Sequence, residues 1–162
     1  MPEESNAPAR PRPSRESLER YAHVFNTSEL LRGSSAKLSF SEAGDRVLVR
    51  VDPIQPSQRG GMGTAAVNGG VLAATFDFVI GITAALLDPT TRSATMQLNM
   101  TFERAVKGDW FVAEAWIDRA GGSTLFSSAW VKDSQGEICS RASGLVRLSK
   151  VPWSNDWQNP QK

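Results

Sequence analysis

The chain of 162 residues contains one cysteine, Cys139, and one histidine, His23. That scarcity excludes a His/Cys metal centre and a Cys–His nucleophile pair, so any chemistry has to run on carboxylates, hydroxyls, amides and backbone groups. No charge of one sign dominates either. Net charge is +1 with Lys and Arg scattered along the chain, which leaves neither the basic stripe of a nucleic-acid binder nor a polybasic membrane anchor. The opening MPEESNAPARPRPSRE is polar and holds four of the nine prolines within its first thirteen residues. It has no apolar stretch of the secretory type, and with a single cysteine the expected compartment is the reducing cytoplasm. Residues 1–14 bury too little apolar area to offset their ordering entropy and are expected to be disordered.

What is present suits one globular domain, 40% hydrophobic and 22% charged. Ser14 is placed to cap a short helix on which Leu18, Tyr21, Ala22 and Phe25 recur at helical spacing. His23 lies on it without ligand spacing. From Ala36 the period changes to two: Leu38 and Phe40, then Val47, Val49 and Val51, with Ala43-Gly44-Asp45 as the turn of a β-hairpin. Residues 53–67 are rich in Pro, Gly and small residues and read as a long loop. A helix follows from Asn68 until Asp88-Pro89 stops it, and then alternation returns four times, beginning with Met96, Leu98, Met100 and Phe102 on one face. Turns fall at Lys107-Gly108-Asp109, Gly121-Gly122 and Ser134-Gln135-Gly136.

Two strands, one long helix and four strands predict an α+β domain, an antiparallel sheet of about six strands wrapped around a helix greasy enough to need cover all round. The expected organisation is a helical extension over 15–35, a core over 36–150, and a polar tail over 151–162 that packs on the surface or frays. A membrane span is disfavoured. The helix carries Gly69, Gly70, Gly81, Thr75, Thr83 and a central Asp77, and amphipathic strands flank it.

Asp77 is the only ionisable side chain between Asn68 and Leu87. Asn68 is a favoured N-cap, and Gly69-Gly70 leave the first turn bare, so a ligand oxygen can approach N–H groups that lack an intrahelical partner. The glycines suit an oxyanion hole or, equally, close packing of strand on helix. On one straight helix Gly69 and Asp77 stand roughly 12 Å apart at about 1.5 Å rise per residue, too far to share one carbonyl. Two chains pairing their helices antiparallel near Ala73 and Ala74 would bring Asp77 of one beside Gly69 of the other, giving two composite sites per dimer. Without such a dimer Asp77 reads as a structural carboxylate bonded to loop amides. In the composite site Asp77 is a general base on water or a direct nucleophile, and a thioester, whose thiolate leaves with little acid assistance, suits that equipment.

The stretch VNGGVLAATFD, followed by TMQLNMTF in this order of elements, resembles the hotdog-fold acyl-CoA thioesterases of the PaaI-like, phenylacetate-degradation type over residues 36–149. The resemblance implies a homodimer, often paired into a tetramer. It implies a catalytic set of Gly69, which polarises the thioester carbonyl, Asp77 from the neighbouring subunit, and Thr95 at a Ser/Thr position that helps hold the attacking water. Coenzyme A would enter only as part of the acyl-CoA substrate, with no separate cofactor, metal, nucleic acid or membrane. Asn68, Gly70 and Met62 are the implied substrate neighbours; Phe76 and Phe78 flank Asp77 in the sequence, and either could line an acyl pocket or equally pack in the core. Asn68 stands where the family has histidine, Met62 where relatives carry Asn, and Gly122-Ser123-Thr124 where they carry Gly-Lys/Arg-Thr. Candidates for the CoA phosphates are Arg92, Arg104, Lys107, Arg119, Lys132, Arg147 and Lys150. A hydratase on the same fold would need a histidine that the helix lacks. The competing reading is a non-catalytic acyl-CoA or fatty-acyl binding protein. Cys139, Trp110, Trp116 and Trp130 lie in strands and read as packing residues.

Overall fold

The computed structural model describes residues 11–61 and 64–153. The expectation of disorder therefore falls mostly on residues 1–10, outside the described residues, as does residue 62; residues 11–14 form no helix or strand and lead into Ser14. Helix α1 (Arg15–Phe25) starts as its sequence predicts, with the Ser14 hydroxyl accepting from the Ser17 N–H and Leu18, Tyr21 and Ala22 buried. A second helix, α2 (Glu29–Gly33), falls inside the helical extension expected over 15–35 but was not legible as a separate element. A single turn capped by Ser28 has no period to read.

Strands β1 (Ala36–Phe40) and β2 (Val47–Val51) form the hairpin, with Gly44 at φ 68° supplying the left-handed position in its turn. Helix α3 (Gly69–Ile82) continues into a 3₁₀ turn at Thr83–Leu86. Then come β3 (Thr91–Phe102), β4 (Phe111–Gly121), β5 (Thr124–Asp133) and β6 (Ile138–Pro152). The sheet is antiparallel throughout, in the order β1-β2-β4-β5-β6-β3, so β1 and β3 are its edges.

The inner sheet face is largely apolar, and much of it is small: Ala113, Ala115, Ala129, Ala142 and Gly144 are buried with Val47, Val49, Val131 and Val146. Small residues there let the helix sink into the curl of the sheet. Gly144 has no alternative, since a Cβ would lie 2.8 Å from the Gln97 carbonyl and 2.9 Å from Ile80 Cγ2. On α3, Leu72, Phe76, Val79 and Ile80 fill that curl. One buried polar pair, Thr83 and Ser127, bond each other at 2.8 Å, and Thr83 also donates to the Ile80 carbonyl.

The expectation that the helix is covered all round is corrected. Gly70, Ala74 and Asp77 share an exposed side of α3, because one chain's sheet reaches only the opposite side. The window Gly69–Leu86 is long and apolar enough to cross a membrane, yet half of it is buried inside the domain. The core also extends past residue 150. Strand β6 runs to Pro152, and Trp153 packs edge-on against Phe25.

Candidate active site

The start of α3 is held by its loop. Gln58 is buried, its amide donating to the Ser34 carbonyl and accepting from the Gln55 N–H, while its own carbonyl accepts from the Asn68 N–H at 2.9 Å. Val67 donates to the Val106 carbonyl. So anchored, Asn68 takes the N-cap position, and its side-chain oxygen accepts from the Gly70 N–H at 2.8 Å. Its backbone carbonyl accepts from Val71 and Leu72. Of these first amides, the Gly69 N–H is the one with no hydrogen-bond partner among the described residues. Gly69 is exposed, and a Cβ there would meet only the Phe102 ring, at 3.7 Å.

Two turns on, Asp77 projects from the exposed side. Its backbone carbonyl faces β3: Thr95 donates to it over a long 3.4 Å, and Ser93 donates to the Gly81 carbonyl at 3.0 Å. Gly81 makes this approach possible, because a Cβ would sit 3.0 Å from the Thr95 hydroxyl. A register shift between Thr95 and Gln97 explains how Thr95 comes to face the helix while Leu98 and Met100 also pack on the core. Simple alternation put Met96 with Leu98; the bulge leaves Met96 60% exposed instead. Asp77 and Thr95 line a cavity of about 280 Å³, together with Ser93, Phe78, Tyr21, Phe25 and Trp153 among others.

Within one chain, then, the bare amide and the carboxylate are both exposed on α3 but lie roughly 12 Å apart along it. Phe76 is fully buried in the core. It is Phe78 that lines cavities, both the one at Asp77 and a larger apolar groove of about 440 Å³ with Val71, Ala74, Leu30 and Leu31. Met62 lies outside the described residues. Ser93 and Gln58 were missed by sequence reasoning, although Ser93 shares the alternation of Thr95.

Elsewhere, burial pushes the Cys139 thiol up, and the nearby Asp133 carboxylate raises it further, which disfavours a nucleophilic thiolate. Trp110, Trp116 and Trp130 cover the sheet face away from α3. Trp116 and Trp130 pack at 4.6 Å under the Arg46 guanidinium, and Arg50 lies over Trp110. Lys132 stacks on Trp130 and Arg104 pairs with Glu137, so both cations have local partners. Arg147 stands in register with Thr124 on one side and Ala94 on the other, next to the turn that precedes β5. Among the described residues no three His, Cys, Asp or Glu side chains converge as a metal site.

Residues 65–140 match the model of the thioesterase superfamily. No curated protein matches the chain. Among solved structures, the PaaI protein from the phenylacetic acid degradation operon of E. coli superposes with a TM-score of 0.74 at 12% identity, covering 86% of this chain and 99% of that one. A Shewanella oneidensis protein related to the thioesterase superfamily gives 0.71 at 21% identity, with 83% and 96% covered. A thioesterase from Haemophilus influenzae gives 0.70 at 15% identity, with 82% and 90% covered. The fold is the hotdog fold.

Proposed function

We propose, for a chain whose residues 65–140 match the model of the thioesterase superfamily, an acyl-CoA thioesterase that releases a free acid and coenzyme A, with Asp77 of one subunit acting beside the Gly69 amide of its partner. The observation that carries this reading is the presence, on one helix, of an exposed Gly69 N–H with no partner among the described residues and of a solvent-facing carboxylate. Their separation prevents both from serving one carbonyl in the same chain. Antiparallel pairing of two such helices about the exposed Ala74 turn removes the obstacle, and the small residues there permit close approach.

In that arrangement the thioester oxygen accepts from the Gly69 N–H, at the positive end of α3. Asp77 either takes the proton of an attacking water or itself adds to the acyl carbon. A C–O bond forms, the C–S bond breaks, and coenzyme A leaves as a thiolate that is then protonated; where Asp77 is the nucleophile, water then hydrolyses the acyl–Asp77 anhydride, releasing the acid and restoring the carboxylate. Thr95 holds the water beside Asp77. Arg147, in register with Thr124, supplies the CoA phosphates with the cation that position 123 lacks. The working molecule is a homodimer, or a pair of dimers.

Release of free CoA from short, medium, long and aromatic acyl-CoAs tests the reading, with Asp77→Asn as the control. Turnover that falls at least about hundredfold in the variant supports the enzyme. Tight acyl-CoA binding by the wild type without turnover replaces it with the binding-protein reading.

A further inference from the structure

The cavity beside Asp77 is not closed by the superfamily segment alone. Of its four aromatic wall residues, Phe78 lies within residues 65–140, whereas Tyr21, Phe25 and Trp153 come from the two ends of the described chain. The four form one packed unit. Phe25 is its hub, stacked on Tyr21 at 4.5 Å and set edge-on to Phe78 at 6.1 Å and to Trp153 at 5.9 Å.

Each end of that unit is tied down. Directly after Phe25, the Asn26 side chain bonds the Leu38 backbone twice, donating to its carbonyl at 2.9 Å and accepting from its N–H at 2.8 Å, which fixes the end of α1 to β1. Trp153 is held by its backbone N–H, which donates to the Thr90 carbonyl at 3.0 Å, just ahead of β3. Moving Phe25 aside would break three ring contacts and work against these anchors, each ring pair being worth about 0.5–1.5 kcal/mol beyond burial.

We propose that this aromatic wall selects the acyl group by length, ending the cavity close to the reacting carbon so that compact acyl groups enter and long chains do not. The inference rests on the acyl-CoA reading of the site. Phe78, which also borders the larger groove on the other flank of α3, is the partition between the two spaces. Opening the wall therefore lengthens the room available to an acyl chain.

Non-hydrolysable S-butyl-CoA and S-dodecyl-CoA thioethers, titrated by calorimetry into the full chain, test the wall without turnover. The wild type should bind the butyl compound at least as well as the dodecyl. In Phe25→Ala, and in Trp153→Ala should the first variant fold poorly, the dodecyl-to-butyl affinity ratio should rise at least about tenfold, the effect of two further buried methylenes. An unchanged ratio in the folded variants, or a wild type that already prefers dodecyl, overturns the wall while leaving thioester hydrolysis standing. Hydrolysis that survives Asp77→Asn overturns the catalytic reading and leaves the wall judged by binding. Failure of both thioethers to bind overturns both.

Discussion

Along α3, Leu72, Phe76, Val79 and Ile80 point into the sheet, whereas Gly70, Ala74 and Asp77 meet solvent on the opposite side of the same turns. The inner side is selected for volume. It fills the curl left by the alanines of β4, β5 and β6, and any loss of atoms there opens a cavity. The outer side is small, with one charge, and nothing among the described residues covers it. A helix whose hydropathy is nearly uniform thus carries two programmes, one for folding and one for meeting a second helix and a substrate.

Substitutions that separate those programmes test the comparison. The largest effect belongs to the inner side: Phe76→Ala should cost about 3–5 kcal/mol of stability, read by urea unfolding, because a fully buried ring is lost without room for collapse. Asp77→Asn should leave stability within about 0.5 kcal/mol, as exposed substitutions do, while CoA release falls at least about hundredfold. If Asp77→Asn instead unfolds the protein, the outer side is structural and the contrast collapses. Ala74→Phe should keep the monomer folded but weaken the dimer by about 1–3 kcal/mol through overpacking, raising its dissociation constant in sedimentation experiments. The smallest effect lies off the helix. Arg147→Ala should raise KM about two- to fivefold with kcat unchanged, as loss of an exposed ionic contact does, and the difference should shrink in high salt.

The same contrast explains what could be read in advance. Strand alternation and the glycine turns at Gly44, Gly108, Gly122 and Gly136, all at positive φ, made the order of strands legible. Asp77 was conspicuous as a lone carboxylate in an apolar run. Hydropathy, however, scores alanine as apolar on either side of a helix, so it predicted cover all round, and only the spacing of Gly69, Ala73, Ala74 and Asp77 hinted at a side left for a second helix. The bulge at Thr95–Gln97 exists only relative to β6 and leaves no mark in β3 itself. Tyr21, Phe25 and Trp153 meet beside Asp77 from opposite ends of the described chain, and only the fold brings them together. Gln58 sits in a segment that reads as loop, and its burial follows from the tertiary position of Ser34.

The central claim, a site shared between two subunits, is tested most directly by complementation between two inactive variants. Asp77→Asn removes the carboxylate. Gly69→Pro removes only the N–H: residue 69 is the first of the helix, where proline is well accommodated, and Asn68 before it is already extended at ψ 137°. When the two variants are co-expressed, a mixed dimer holds one site with both defects and one with neither, so CoA release should recover to about a quarter of the wild-type rate in a random mixture. A mixture as inactive as its components would contradict the account, because it would place both groups of each site in the same subunit.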